Sequence, residues 1–414
     1  MYRTRDLKND REDSFSTTYS RGTIVDRMIL IGQPEQRRSQ LLQRALHARG
    51  HAPATVIDWS ALLHDPEAIA AGLNDTPERP VKLDSPGESA ALHDALVRHG
   101  WHRLGESGAA PPSLAHGELS HQHMWFAGFS DVLRRLDAAA TNVRWMNPPN
   151  DILRMCDKRG CQERLMSAGI DIPPLIGPID GYAQLRDRLR IEGVDRVFIK
   201  SRYGSSAAGV IAYRLHRDGR EVAYSSAEIV RDNGGVRLFN SLIPRRYIAN
   251  DEIAALIDAV AVQGAYAESW IAKPRATGNA RENFDVRVMS FAGAPRQRVA
   301  RIASQPMTNL HLGNRRGIAE ELLDPATLQR IEDCVRRAAS AFPNAMSIGF
   351  DLIPGAERVR VLEANAFGDL LPELYWQGVS TYDDQAAWFA EAAHATECAN
   401  SITLPNRAEN AAHA

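Results

Sequence analysis

The 414-residue chain has four cysteines, 7% aromatic residues and a formal net charge of only −2, and each scarcity excludes something. Cys156, Cys161, Cys334 and Cys398 are scattered and, one isolated C-x4-C aside, lack paired metal-ligand spacing. Neither a disulfide framework nor a structural zinc site is indicated, and reduced thiols in a cytoplasmic protein are expected. A near-neutral charge gives no bulk pull toward nucleic acid or an anionic membrane. No apolar run approaches the roughly 18 residues of a membrane span, and the amino terminus has no apolar signal-peptide core. The turn Gly32-Gln33-Pro34 lacks the G-x-G-x-x-G pattern, so a dinucleotide fold is unsupported.

What is present is a soluble globular composition, 44% hydrophobic and 24% charged, on a length that suggests two or three domains. Residues 1–23 are charged, Ser/Thr-rich and almost without aliphatics, and read as a disordered tail. Met28 opens the first strand, MILIG, and is an alternative translation start. A helix from Glu35 to Arg49 and a strand from Ala54 to Trp59 follow, the start of an open α/β sheet. A short strand near Val81 to Leu83 and another from Val143 to Met146 lead to the breaker Asn147-Pro148-Pro149-Asn150, which closes a domain at residues 24–150. Beyond it the pattern predicts a helix from Asp151 to Ala168, a β-rich stretch and a final α+β region. Residues 401–414 read as a frayed tail.

Three stretches carry side chains suited to chemistry. In the first, the apolar strand Val197 to Lys200 runs through Ser201-Arg202-Tyr203-Gly204-Ser205-Ser206-Ala207-Ala208-Gly209 into a second apolar strand, Val210 to Tyr213. Small side chains let backbone N–H groups approach phosphate oxygens, and Lys200 adds a point charge. A plain β-turn fits the same residues. The second stretch is the hairpin of Ser347 to Ile353 and Arg358 to Asn365. Strand alternation puts Glu363 and Asn365 on the side opposite Leu362, and Asp351 opposite Phe350 and Leu352. This all-oxygen set suits Mg²⁺, although a half-solvated hairpin has the same pattern. The third is Glu268-Ser269-Trp270-Ile271 at a strand end, followed by Phe284 to Met289 and Val299 to Ile302. Asp285 and Arg287 share a face there, as they would on an ordinary solvated strand. The donor- and cation-rich loop Met307 to Gly317 comes next; its His311 alone suits a structural hydrogen bond.

In order and spacing, Lys158, Lys200 with its glycine loop, Glu268, Asp285 and Arg287, Asn309 and the trio Asp351, Glu363, Asn365 resemble the ATP-grasp superfamily. The D-x11-E-x-N signature and the N-L-H-x-G loop are its specific marks. The chain looks most like the glutamate ligases that modify a ribosomal protein and the related glutathione synthetases, over about Asn147 to Tyr375. The stretches SPGE (Ser85 to Glu88), MTNLHLGNRRG (Met307 to Gly317) and LEANAFGDLLP (Leu362 to Pro372) resemble a little-characterised bacterial subfamily.

The resemblance implies an α/β chain, α+β in its catalytic part: an ATP-grasp domain at 151–400 behind an amino-terminal open α/β domain on the substrate side. A lid subdomain at about 170–268 and a metal-binding subdomain at about 269–400 would sandwich the nucleotide. Lys158 and Lys200 would contact phosphates under the loop of Gly204, Ser205, Ser206 and Gly209. Adenine would sit at Glu268, Ser269, Trp270 and Ile271, Asp285 would approach the ribose, and Thr308 and Asn309 would line the phosphate and metal site. Asp351, Glu363 and Asn365 would hold two Mg²⁺ ions, with Mn²⁺ as a substitute, while Arg287, Arg301 and Lys200 would steady the migrating phosphoryl group.

The implied reaction is ATP-dependent carboxylate–amine ligation through an acyl phosphate, releasing ADP and phosphate, with an amino acid, a small amine or a peptide as acceptor. A kinase on the same scaffold and a catalytically silent ATP-binding protein are the alternatives. Relatives are often dimers or tetramers, so a homo-oligomer is the default. Two departures stand out. The connection Ala272 to Phe284 is long and reads as a disordered surface loop or, alternatively, as a mobile loop near the substrate entrance, and Met307 replaces a commonly polar residue.

Overall fold

The structure, a computed structural model, describes residues 28–402 apart from 76–78, 88, 205–207, 233, 277, 280 and 368–371. Residues 1–23 and 403–414 of the expected tails, Glu88, and Ser205 and Ser206 of the glycine loop therefore lie outside the described residues. Among the described residues, no helix is long and apolar enough to cross a membrane.

The amino-terminal part opens with β1 (Ile29–Gly32), α1 (Arg37–Ala48) and β2 (Thr55–Asp58). β2 stops before the expected Trp59 because the Asp58 carboxylate accepts from Ser60 N at 2.7 Å and caps α2 (Trp59–His64). Then come α3 (Pro66–Asn74), β3 (Arg79–Leu83), α4 (Ala90–Leu104), α5 (Gln122–Ala139) and β4 (Val143–Trp145). The four strands form a parallel sheet in the order β2-β1-β3-β4. Burial on both faces explains why Ile29, Leu30 and Ile31 are all core residues rather than alternating. Helices α4 and α5 approach through Gly100 and Gly128: a Cβ on Gly100 would fall 1.7 Å from Met124 O.

The single helix expected from Asp151 to Ala168 is two, α6 (Pro149–Cys156) and α7 (Lys158–Ser167). Asp157 breaks them, because its short acidic side chain accepts from Gly160 N at 3.1 Å as an N-cap. The same carboxylate takes two bonds from Arg202, at 2.7 and 2.5 Å. Lys158 is thereby the first residue of a helix instead of lying in the middle of one.

A second, antiparallel sheet contains β5 (Leu175–Ile179), β6 (Arg196–Ser201), β7 (Ile211–Leu215), β8 (Glu221–Asp232), β9 (Gly235–Tyr247) and β10 (Ala265–Ser269), in the order β5-β10-β6-β7-β8-β9. With α8 (Tyr182–Glu192) and α9 (Asn250–Ala261) it encloses its own core, around Leu185, Ile199, Ile211 and Leu256. The edge strand β9 is covered in part by the chain at Gly117 and Leu119, through backbone bonds of 2.7 and 2.8 Å.

The third sheet, also antiparallel, has β11 (Asn283–Phe291), β12 (Ala294–Ala303), β13 (Arg315–Gly317), β14 (Ser347–Pro354) and β15 (Val359–Asn365), in the order β13-β12-β11-β14-β15. Helices α10 (Ala319–Leu322) and α11 (Pro325–Ser340) lie between β13 and β14, and a small hairpin of β16 (Tyr375–Trp376) and β17 (Val379–Ser380) leads into α12 (Thr381–Ile402). α12 returns to the amino-terminal part, where Tyr382, Trp388 and Phe389 pack with Leu30, Leu42 and Leu46. Asn147 joins the first and third sheets: its amide donates to Ser347 O at 2.7 Å and to Ala366 O, and accepts from Ser347 N at 3.0 Å.

The glycine contact gives a paired prediction. Gly100→Ala overpacks the α4–α5 contact and should lower stability by about 1–3 kcal/mol or more. Gly72→Ala, in α3 with open space around the position, should stabilise by about 0.4–1 kcal/mol. Urea midpoints read both; two substitutions of equal effect would contradict the close helix contact.

Candidate active site

The cleft between the second and third sheets is walled from one side by Lys200, Ser201, Glu268 and Ser269 and from the other by Arg301, Asp351 and Glu363, with Lys158 at the start of α7. Apolar surface comes from Phe198, Ile271, Met307, Ile353 and Leu362. Backbone register builds the charged wall. Asp285 lies opposite Arg301, Arg287 opposite Asp351, and Asp351 opposite Glu363, so four adjacent strands place one row of ionic side chains on one face. The alternate residues Val286, Val288, Phe350 and Leu352 fill the core beneath.

Within that row Arg301 bridges two buried carboxylates, donating Nε to Asp285 Oδ1 at 2.7 Å and reaching Asp351 Oδ2 with Nη1 at 3.0 Å. Arg287 clamps Asp351 through Nε and, at 2.9 Å, Nη2. Burial pushes both aspartates toward the neutral acid. At Asp285 the charges of Arg301 and Lys273, and at Asp351 those of Arg287 and Arg301, outweigh it and hold both below the ordinary range. The two lysines of the cleft also rest on carboxylates. Lys200 Nζ is 2.5 Å from Glu268 Oε1, and Lys158 pairs with Glu363. Gln162 donates to the other Glu268 oxygen at 2.7 Å, which fixes the carboxylate facing Lys200.

The structure thus brings Lys158, Lys200, Gly204, Glu268, Ser269, Ile271, Arg301, Thr308, Asn309, Asp351 and Glu363 to one cleft. Five expected residues, Arg287, Asp285, Asn365, Trp270 and Gly209, do not line it. Arg287 is not a lining residue, because register sets it against Asp351, where two of its N–H groups are used. Asp285 is 1% exposed and enclosed by Arg301, Lys273 and Thr308, so it does not face a ribose directly. Asn365 donates its amide to Gly349 O at 3.0 Å. Trp270 packs on Phe198, with ring centroids 5.3 Å apart, and Phe198 is the ring at the wall. Gly209 holds a turn with φ 70°, a backbone that favours glycine.

Two expectations of strand and loop behaviour change. A bulge between Asp351 and Leu352 sets Asp351 against Glu363 and Leu352 against Val361, so Leu362 and Glu363 both line the cleft instead of facing opposite ways. The connection after Ile271, expected to be a disordered or mobile surface loop, is partly built in. Ala276 is buried and bonded to Glu282 O at 3.0 Å, and the Lys273 side chain is only 8% exposed. Burial pulls the Lys273 ammonium below the usual lysine range, against the attraction of Asp285.

Lys273 was not singled out by sequence reasoning; its place just after the Glu268 to Ile271 strand end was the available signal. Gln162 and Tyr203 were missed as well. Tyr203 stacks on Phe126 of α5 with centroids 4.1 Å apart, and Ser201 donates to Gln122 of the same helix, so the segment Ser201 to Tyr203 ahead of the glycines rests on the amino-terminal part. Cys156, Cys161 and Cys334 are free thiols. Burial pushes Cys156 and Cys161 up to about 12, toward the protonated thiol.

No protein-family model matches the chain, and no curated protein matches it. Solved structures do. The D-cycloserine synthetase DcsG aligns over 89% of this chain and 99% of its own, with TM-score 0.50 and 15% identity. PsnB, an ATP-grasp ligase complexed with minimal precursor, covers 89% and 100% with TM-score 0.48 and 16% identity. D-alanine–D-alanine ligase from Bacillus anthracis, complexed with ATP, covers 90% and 98% with TM-score 0.46 and 12% identity. At such identities likeness speaks for the fold alone, and of these three the match to DcsG, at TM-score 0.50, supports it: an open α/β sheet followed by two antiparallel sheets.

The buried aspartates make stability depend on acid. Asp285→Asn, which leaves Arg301 and Lys273 short of a counter-charge, should cost about 3–5 kcal/mol at pH 7. Because the folded-state pKa of Asp285 is depressed, its contribution is complete above the unfolded-state value near ~3.9 and is lost as pH falls through the folded value. Urea titrations of the two proteins should therefore converge below about pH 4. A gap that stays constant down to acid unfolding would argue against the ionised assignment.

Proposed function

We propose that the chain is an ATP- and Mg²⁺-dependent carboxylate–amine ligase that forms an amide or peptide bond through an acyl phosphate and releases ADP and phosphate. One observation carries the reading: Lys158 and Lys200, far apart in sequence, share a cleft with Asp351 and Glu363. Two ammonium groups suit a triphosphate, and adjacent carboxylates suit the cation that accompanies it.

The residues fit that cation in kind. Among the described residues no three His, Cys, Asp or Glu side chains form a cluster that could hold a metal, and the cleft itself offers two carboxylates, Asp351 and Glu363, hard oxygen donors that would leave positions for phosphate and water. The amide nitrogen of Asn365 is bonded to the strand, so only its oxygen would be available as a third ligand, and Asn365 does not line the cleft in this structure. A divalent ion held there would supply neutralisation of the phosphate charge.

The chain's own groups do the rest. Lys158 leaves Glu363, and Lys200 leaves Glu268, to hold phosphate oxygens; each carboxylate parks its lysine close to where it is needed. A substrate carboxylate oxygen attacks the γ-phosphorus and ADP departs. The amine then attacks the acyl carbon, loses a proton and expels phosphate. Arg301, its planar cation locked between Asp285 and Asp351, faces the charge that develops on both transition states. Ser269, Ile271 and Phe198 form the surface for adenine, and the glycine loop excludes water from an acyl phosphate that hydrolyses readily. The acceptor is an amino acid, a small amine or a peptide, and the loop cations Arg315 and Arg316 suit a carboxylate partner.

The test is a screen of carboxylate and amine pairs for ADP and phosphate release, with hydroxylamine trapping the activated acid as a hydroxamate. Substrate-dependent hydroxamate is expected. A stable phosphorylated product without free phosphate would replace ligase by kinase. Glu363→Ala should reduce ADP formation to background in a folded protein, and Lys200→Ala should weaken ATP binding at least about tenfold, a loss of about 1.4 kcal/mol in a charge-assisted contact. Undiminished turnover in the first or unchanged affinity in the second would count against the assignments.

A further inference from the structure

Thr308 is 2% exposed and lines the cleft, yet its hydroxyl is committed on two sides. It donates its proton to Asp285 Oδ2 at 2.5 Å and accepts from Lys273 Nζ at 2.7 Å. The polarity of this chain of bonds is forced. An ammonium has no lone pair and must donate; Asp285, ionised between Arg301 and Lys273, must accept. A hydroxyl has one proton and two lone pairs, so a single lone pair remains for a ligand. Lys273 has nothing to add, since its three N–H groups face Pro306 O at 3.1 Å, Thr308 Oγ1 at 2.7 Å and Asp285 Oδ2 at 3.1 Å.

We propose that Thr308 reads a ribose hydroxyl of the bound nucleotide as a hydrogen-bond acceptor, with Lys273 and Asp285 as the positioning residues that fix its polarity. The inference rests on the nucleotide reading of the cleft and sharpens it. A phosphate oxygen needs a donor, and the proton of Thr308 is already given to Asp285. A metal ion would share the Thr308 oxygen with an ammonium 2.7 Å away. A neutral hydroxyl satisfies both constraints. Connectivity agrees, because Lys273 lies two residues after Ile271 and ties the proposed adenine surface of Ser269 and Ile271 to the loop that carries Thr308. Asp285 therefore acts on the ribose through Thr308.

The test compares dissociation constants of the full-length chain for ADP, 2′-deoxy-ADP and 3′-deoxy-ADP in the presence of Mg²⁺, by calorimetry. The unsubstituted protein should bind at least one deoxy analogue roughly five- to tenfold more weakly than ADP, the effect of one hydrogen bond to an otherwise unmatched acceptor. Thr308→Val, equal in shape, should lose that factor for ADP and bind ADP and the same analogue alike; Thr308→Ser should restore the preference. Lys273→Met should narrow the preference, a ratio that mere loosening of the fold would not change, with thermal midpoints checking that each variant is folded. Equal binding of all three nucleotides by the unsubstituted protein overturns the proposal, as does a preference that survives in Thr308→Val. No ADP binding at all would overturn the underlying nucleotide reading instead.

Discussion

The cleft depends on the buried Arg301 guanidinium, which spans two carboxylates from different strands. A lone ion in that position would cost several kcal/mol, and so would either aspartate without its cation. Asp285, Arg301, Asp351 and Arg287 are tolerable only together. Their assembly requires the strand register that pairs them, because a slip of one residue would turn the ionic row into the core and expose Val286, Val288 and Phe350. The apolar face fixes the register, and the register fixes the charges.

The lysines follow a different logic. Lys158 and Lys200 are each about 15% exposed at the cleft surface, against partly or fully buried carboxylates. Under the proposed reaction these pairs are resting contacts, exchanged when a triphosphate and its cation arrive with the opposite pattern of charge. The internal Arg–Asp network has no such freedom and serves as the fixed frame. Thr308 stands between them, held by the frame on two sides and offering one lone pair to the cleft.

Much of this was legible in the sequence, for physical reasons that differ by element. Alternation in Phe284 to Met289 and Ser347 to Ile353 separated core from ionic residues correctly, because period 2 is a property of the strand itself. The apolar run of β1 gave a buried strand, and the motif order gave the fold. Three things were not legible. Asp157 splitting a helix looks like any polar surface residue until its capping bond is seen. The bulge at Asp351 and Leu352 changes which neighbours of Glu363 face the cleft, and it depends on a partner strand. The burial of Lys273 and the withdrawal of Arg287 and Asp285 behind the wall are consequences of cross-strand pairing, which spacing along one strand does not encode.

The most direct measurement of the central claim is a crystal structure with a non-hydrolysable ATP analogue and Mn²⁺, whose anomalous scattering locates the cation without assumption. The account predicts a peak ligated by Asp351 and Glu363, with Lys158 and Lys200 moved from their carboxylates onto phosphate oxygens and the Arg301 network unmoved. A nucleotide bound elsewhere, or a cation remote from Glu363 with Lys158 still paired to it, would contradict the account.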